Sequence, residues 1–192
     1  MKNIAIFASG TGTNAENIVH YFQGHKYIKV ALILSNKPDA YVVQRAKELG
    51  VSCMTFSKED LYGNNNVRQA LLNYDIRFIV LAGFLWLVPS DLIRSYRNRM
   101  INIHPALLPD YGGKGMYGDR IHRRIYENGD RESGITIHYV NENYDEGQII
   151  RQVRFKIEPG EGPEDIARKA HELEYREYPR VIEQLLSEEG AG

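Results

Sequence analysis

Ile4-Ala5-Ile6-Phe7-Ala8-Ser9-Gly10-Thr11-Gly12-Thr13-Asn14-Ala15 is an apolar run that breaks into a glycine turn and then opens a helical pattern. The run shows no alternation of apolar and polar residues, so it reads as a strand buried on both faces. The same rhythm recurs four times. Strands are expected at Val30–Leu34, Cys53–Phe56, Phe78–Ala82 and Met100–Ile103, with helices at about Asn14–Gln23, Ala40–Leu49, Asn66–Tyr74 and Pro89–Tyr96. Buried strands alternating with helices imply right-handed parallel crossovers. The expected fold is α/β: a single domain built on a mostly parallel, doubly wound (Rossmann-like) sheet with helices on both faces.

The rhythm changes after Asp110. Gly112, Gly113, Gly115 and Gly118 mark a long irregular loop. A short helix at about Arg120–Glu127 follows and stops at Asn128-Gly129. Two strands, Ile135–Val140 and Ile149–Ile157, are joined by the polar segment Asn141 to Gln148 and are expected to run antiparallel. A last amphipathic helix runs from Pro163 to about Leu186, with a kink or break expected at Pro179. One domain is expected over residues 1–186, followed by a loose tail over 187–192.

Composition excludes several classes. With 43% hydrophobic and 26% charged residues the chain is an ordinary globular protein. A net charge of −1 gives no general attraction to nucleic acid or acidic lipid. No apolar stretch reaches the roughly 18–20 residues of a membrane span, and the N-terminus has no signal-peptide pattern. A cytoplasmic protein is expected. The single cysteine, Cys53, precludes an internal disulfide, and its setting from Val51 to Phe56 suggests a buried, inert thiol. The six histidines form no metal-ligand spacing, and no metal is expected.

The turn from Ser9 to Asn14 lets backbone approach a ligand closely and presents free N–H groups at a helix start, which favours an anion, by default a phosphate. Gly10, Gly12 and Ala15 also satisfy the looser dinucleotide pattern, so a nicotinamide-dependent oxidoreductase is the rival reading. That rival needs an acidic residue at the end of the second strand, where the chain has Leu34-Ser35-Asn36-Lys37.

The sharper signal is Met100-Ile101-Asn102-Ile103-His104-Pro105-Ala106-Leu107-Leu108-Pro109. Asn102 and His104 leave one face of a strand while Ile101 and Ile103 pack on the other. They stand at the carboxyl edge of the sheet, where open α/β folds bind ligands. An amide and an imidazole side by side can stabilise one oxyanion and exchange a proton near neutral pH. No Ser or Cys nucleophile stands in register, so direct attack by a substrate amine fits better than a covalent acyl-enzyme.

Leu81-Ala82-Gly83-Phe84, Asn102-x-His104-Pro105-x-Leu107-Leu108-Pro109 and Asp145-x-Gly147-x-Ile149 together resemble the folate-dependent formyltransferase family, over nearly the whole chain. The resemblance implies formyl transfer from 10-formyltetrahydrofolate, as co-substrate, to the amine of a small phosphorylated ribose substrate of purine synthesis. It implies Asn102, His104 and Asp145 as the catalytic set, with Asp145 raising the pKa of His104 and protonated His104 and Asn102 stabilising the oxyanion. Alone, Asp145 reads as an ordinary turn residue. Gly12, Thr13 and Asn14 match the family's phosphate turn, and His171, Glu172, Leu173 and Glu174 match its ribose-binding segment. The backbone of Leu85, Trp86, Leu87 and Val88, and of Asn141, Glu142, Asn143 and Tyr144, matches the walls around the folate pterin, to which Asn102 and Asp145 also belong.

Relatives often carry arginine where this chain has Leu85-Trp86, and another near Asn64, Asn65 and Asn66, so the resemblance does not extend to how the folate tail is held. The loop from Gly112 to Gly118 is either a lid over substrate or a variable surface loop. Arg120, His122, Arg123 and Arg124 read as a solvated helix face. Members of the family that act on transfer RNA carry a further C-terminal domain, for which this chain is too short. No nucleic-acid or membrane partner is expected. His122 and His138 have no spacing argument that places them at the site.

Overall fold

A computed structural model of the protein describes residues 1–188. Five strands form the parallel part of one seven-stranded sheet: β1 (Lys2–Phe7), β2 (Ile28–Ser35), β3 (Ser52–Thr55), β4 (Ile76–Leu81) and β5 (Met100–His104). The sheet is completed by β6 (Glu132–Tyr139) and β7 (Ile149–Lys156), both antiparallel to their neighbours, in the order β3-β2-β1-β4-β5-β6-β7. The chain starts in the middle, winds outward to β3, then returns to the other side of β1. That reversal puts a crevice at the carboxyl ends of β1 and β4.

The helices are α1 (Thr13–Tyr21), α2 (Tyr41–Glu48), α3 (Lys58–Tyr62), α4 (Asn66–Asn73), α5 (Ser90–Ser95), α6 (Asp119–Glu127) and α7 (Pro163–Glu188). Alternate residues of β1 serve two cores. Ile4, Ile6 and Ala8 pack with residues of α1, α2 and α7, while Ala5 and Phe7 pack with residues of α3, α4 and α5. Burial on both faces is why these strands read as unbroken apolar runs. One extra residue in β2, Ala31, shifts the register against Ile4 and Ala5, so Leu32 and Leu34 turn to the core opposite Ile28 and Val30. A third, smaller core of Ala106, Ile121, Ile125 and Ile166 seats α6.

Three expectations need correction. Cys53 is exposed, because β3 is the edge strand of the sheet and its outer side has no neighbour. Helix α3 was not expected. Its signal is a capping box: Ser57 Oγ accepts from Asp60 N at 3.2 Å, while Asp60 Oδ2 accepts from Ser57 N at 2.8 Å.

Pro179 does not break α7, which is one helix to Glu188. The missing N–H of Pro179 frees the carbonyl of Tyr175, and Asn17 Nδ2 of α1 donates to it at 2.8 Å. A neighbouring helix thus supplies the bond that proline removes. Of the tail expected from 187, residues 187 and 188 belong to α7 and the others lie outside the described residues.

Candidate active site

The carboxyl ends of β1, β4 and β5 open on a cavity of about 580 Å³. Volumes of this order hold small substrates. The glycine turn, Lys37, Ala82 to Leu85, Asn102 to Pro105, Gly113 to Gly118, Tyr144, Asp145, His171 and Glu174 line it.

Gly12 is the N-cap residue of α1, with φ 75° and ψ 21°. A Cβ there would stand 2.4 Å from Val42 Cγ2, so glycine is required both by conformation and by space. No side chain caps the helix. Among the described residues, the N–H groups of Thr13, Asn14 and Ala15 meet no protein acceptor, as first-turn amides do without a cap. They and the helix dipole suit an anion. Ser9 ties this turn to β4: Ser9 N donates to Gly83 O at 3.1 Å and Ser9 Oγ accepts from Leu85 N at 3.1 Å.

At the other side, Asn102 and His104 leave β5 on one face, with Ile101 and Ile103 in the core behind them. Their partners come from the antiparallel half of the sheet. Asn102 stands directly opposite His138 of β6, and its Nδ2 lies 3.2 Å from His138 Nε2 and 3.3 Å from Asp145 Oδ1. His138 Nδ1 donates to Tyr139 O at 2.8 Å, and its Nε2 lies 3.6 Å from Asp145 Oδ1.

His104 Nε2 donates to Tyr111 O at 2.8 Å, so in the neutral ring Nδ1 is unprotonated; it faces Asp145 Oδ2 at 3.6 Å. Asp145 sits in the β6–β7 connection at φ 58°, a conformation aspartate tolerates. Its Oδ2 also accepts from Gly113 N at 3.0 Å. Gly147 closes the same turn because a Cβ there would lie 1.6 Å from Tyr139 O.

Electrostatics corrects one expectation. Burial pushes the His104 pKa down, and this outweighs the upward pull of Asp145 and of the Tyr111 carbonyl. His104 therefore rests as the neutral imidazole at pH 7, rather than as the imidazolium expected from the nearby carboxylate. Asp145 itself is raised by burial, yet the neighbouring His138 and His104 rings and the Gly113 N–H together take it below the ordinary range. It is ionised.

The expected substrate segment on α7 divides. Glu174 is buried, accepts from Asn14 Nδ2 at 2.9 Å and pairs with His171 Nδ1 at 3.0 Å. This hydrogen bond raises the His171 pKa. Asn14 Oδ1 is buried in the same place without a partner. Glu172, in contrast, faces solvent and pairs with Arg168 at 3.1 Å, and Leu173 lies in the core. Helical geometry allows only His171 and Glu174, three apart, to share the cavity side.

The expected pterin walls divide likewise. Leu85, Tyr144, Asn102 and Asp145 line the cavity, whereas Asn141, Glu142 and Asn143 do not. Val88 is core, the Leu87 carbonyl accepts from Tyr62 Oη at 2.8 Å, and the Trp86 ring packs edge-on to Phe56 at 6.0 Å. Lys37, Ser9 and His138 are the additions. The His138 signal was the alternation Ile135-Thr136-Ile137-His138, which puts polar residues on the face opposite the two isoleucines. His122 is buried edge-on to His171, with ring centroids 6.3 Å apart, and Arg120, Arg123 and Arg124 face solvent.

Among the described residues no His, Cys, Asp and Glu cluster could hold a metal ion, and no helix is long and apolar enough to cross a membrane.

Comparison with known proteins bears on this geometry. A family model described as formyl transferase matches residues 2–182. The chain is 35% identical over 193 residues to the chloroplastic phosphoribosylglycinamide formyltransferase of Arabidopsis thaliana, covering 97% of this chain and 66%, just under two thirds, of that protein. It is also 35% identical to the phosphoribosylglycinamide formyltransferase of Bacillus subtilis, covering 97% of this chain and 95% of that one. The solved structure of glycinamide ribonucleotide transformylase 1 from Geobacillus kaustophilus superposes with a TM-score of 0.87 at 35% identity, over 97% of this chain and 99% of that one.

Proposed function

The chain belongs to the formyl transferase family, and on that premise we propose that it transfers the formyl group of 10-formyltetrahydrofolate to the amine of N1-(5-phosphoribosyl)glycinamide, a step of purine synthesis. One observation carries this reading: a single cavity joins a glycine turn with unsatisfied N–H groups to the cluster of Asn102, His104 and Asp145, which His138 backs through Asn102. The first part suits a phosphate and the second an acyl transfer. Between them, Glu174 and the free Oδ1 of Asn14 offer acceptors to ribose hydroxyls. Leu85, Tyr144 and the backbone at Gly83 and Phe84 supply the apolar and amide wall for a folate ring.

The residues divide the chemistry as follows. Direct attack of the amine on the formyl carbon develops negative charge on the formyl oxygen and positive charge on nitrogen. Asn102 Nδ2 donates to that oxygen, giving up one of its two long contacts, to His138 or Asp145. Contacts of 3.2 and 3.3 Å are weak enough to exchange. His104 Nδ1, unprotonated at rest, accepts the amine proton. Asp145, 3.6 Å away, then stabilises the imidazolium. Because burial disfavours the charged ring, the proton is not kept but passed on to the departing folate nitrogen.

A spectrophotometric transfer assay with the 10-formyl folate tests the reading against its rivals. Turnover with glycinamide ribonucleotide, and not with the amine lacking its phosphate, supports it. Donor breakdown independent of amine points to a deformylase that uses water. Turnover only with an amino sugar nucleotide points to that class of formyltransferase. Tight dinucleotide binding without either reaction returns the oxidoreductase.

A further inference from the structure

The glycine turn owes its polarity to something outside itself. In a planar trans peptide the C=O and the following N–H point in opposite directions, so whatever fixes a carbonyl also aims the next amide. Three consecutive carbonyls are fixed here. Gly10 O accepts from Val42 N at 3.2 Å, and Gly12 O accepts from Glu16 N at 2.9 Å. Between them, Thr11 O accepts from Arg45 Nε at 2.9 Å.

The first two donors are backbone groups of helices α2 and α1, which cannot be withdrawn without unwinding a helix. The third is a side chain. Thr11 O is also followed by Gly12, the residue whose lack of a Cβ permits its peptide plane to turn over at least steric cost.

Arg45 is itself held on several sides. Its Nη1 pairs with Glu16 of α1, its guanidinium lies 4.9 Å from the centre of the Tyr41 ring, and its side chain is only 20% exposed. One guanidinium thus ties together α1, α2 and the glycine turn that precedes α1.

We infer that Arg45 is a positioning residue for the phosphate site: by holding the Thr11 carbonyl toward α2, it keeps the Gly12 N–H aimed away from α2, toward the bound phosphate. This rests on the proposed reading of the turn as the phosphate subsite. Without Arg45 the Thr11–Gly12 peptide is free to flip, which puts a carbonyl oxygen where the anion needs a donor. Arg45 touches neither substrate nor reacting atoms, so its loss acts on affinity and leaves the chemical step alone.

The test uses the full chain with Arg45→Met, which keeps the aliphatic stem, and Arg45→Lys, which keeps the charge but reaches one partner at a time. For Arg45→Met, the KM for glycinamide ribonucleotide rises about tenfold, the worth of one hydrogen bond to a charged group. At saturation kcat stays close to wild type, as does the KM for the folate. Ribose 5-phosphate, followed by calorimetry, binds about tenfold more weakly, and the Gly12 amide resonance no longer shifts when it is added. Arg45→Lys falls between.

Wild-type affinity for ribose 5-phosphate in Arg45→Met overturns the inference alone, as does a fall in kcat with the KM for glycinamide ribonucleotide unchanged. A wild-type protein that neither turns over the substrate nor binds ribose 5-phosphate overturns the phosphate reading, and the inference with it.

Discussion

The glycine turn and the Asn102–His104–Asp145 cluster face one cavity, yet they are built in opposite ways. The turn is backbone: its donors are peptide amides, and its braces come from α1 and α2, within about one parallel crossover of it in sequence. The cluster is side chains from three segments, β5, β6 and the β6–β7 connection, with Gly113 of the loop as a fourth contributor. The turn's charge is partial and permanent. The cluster's charge depends on whether His104 holds a proton beside the ionised Asp145. A backbone site tolerates most side-chain changes and fails on conformation, whereas a side-chain site fails on single functional groups.

The largest effects are expected in the cluster. His104→Ala and Asp145→Asn each lower turnover by about 10² to 10⁴, while ribose 5-phosphate binds as in wild type. Steady-state kinetics beside calorimetry check this. A rate within a few-fold of wild type in His104→Ala removes the proton-accepting role.

Next comes Gly12→Ala, the change that strikes the turn through conformation. Positive φ and the clash with Val42 cost about 1–3 kcal/mol of stability and weaken sugar-phosphate binding. In urea unfolding, Gly12→Ala costs less in a Val42→Gly background, where the clash is gone, than in the wild type. An equal cost in both backgrounds would make the steric account wrong.

Asn14→Ala ranks third. It removes a donor to the buried Glu174 carboxylate and is expected to weaken substrate binding about tenfold, with kcat little altered.

The smallest effect is on pH dependence. The folded-state pKa values of His104 and His122 lie below that of an unfolded histidine, because burial disfavours the charged ring. Between the folded values and 6.5 the unfolded chain binds more protons, so stability rises with pH across that window and is lost as pH falls through it. Urea midpoints measured from neutral to mildly acidic pH should decline, and His104→Asn should flatten part of the decline. Turnover should rise with pH over the same window and level off near neutrality, as a neutral base requires. A rate that instead fell as His104 lost its proton would restore the imidazolium as the working form.

The two regions also differed in how far they could be read without coordinates. Strand, glycines and helix start stand side by side in sequence, and the glycine pattern states the conformation it needs. Asn102 and His104 were legible because a strand's two-residue period separates them from Ile101 and Ile103. Asp145 was legible only by resemblance, since on its own it is one more polar residue in a turn. His138 went unplaced, although it stands directly across from Asn102, because antiparallel register is a property of two strands together. The segments 85–88 and 171–174 were placed as blocks, and of them Leu85, His171 and Glu174 line the cavity.

The sequence by itself determined the doubly wound core, the glycine turn and the Asn–His pair, because each rests on the period or conformational needs of contiguous residues. Only the tertiary structure decided that His138 completes the cluster, that the edge position of β3 exposes Cys53, and that His104 rests neutral. Each of those depends on what lies across a strand or around a ring, and burial there outweighs the charge that the nearby carboxylate alone would favour.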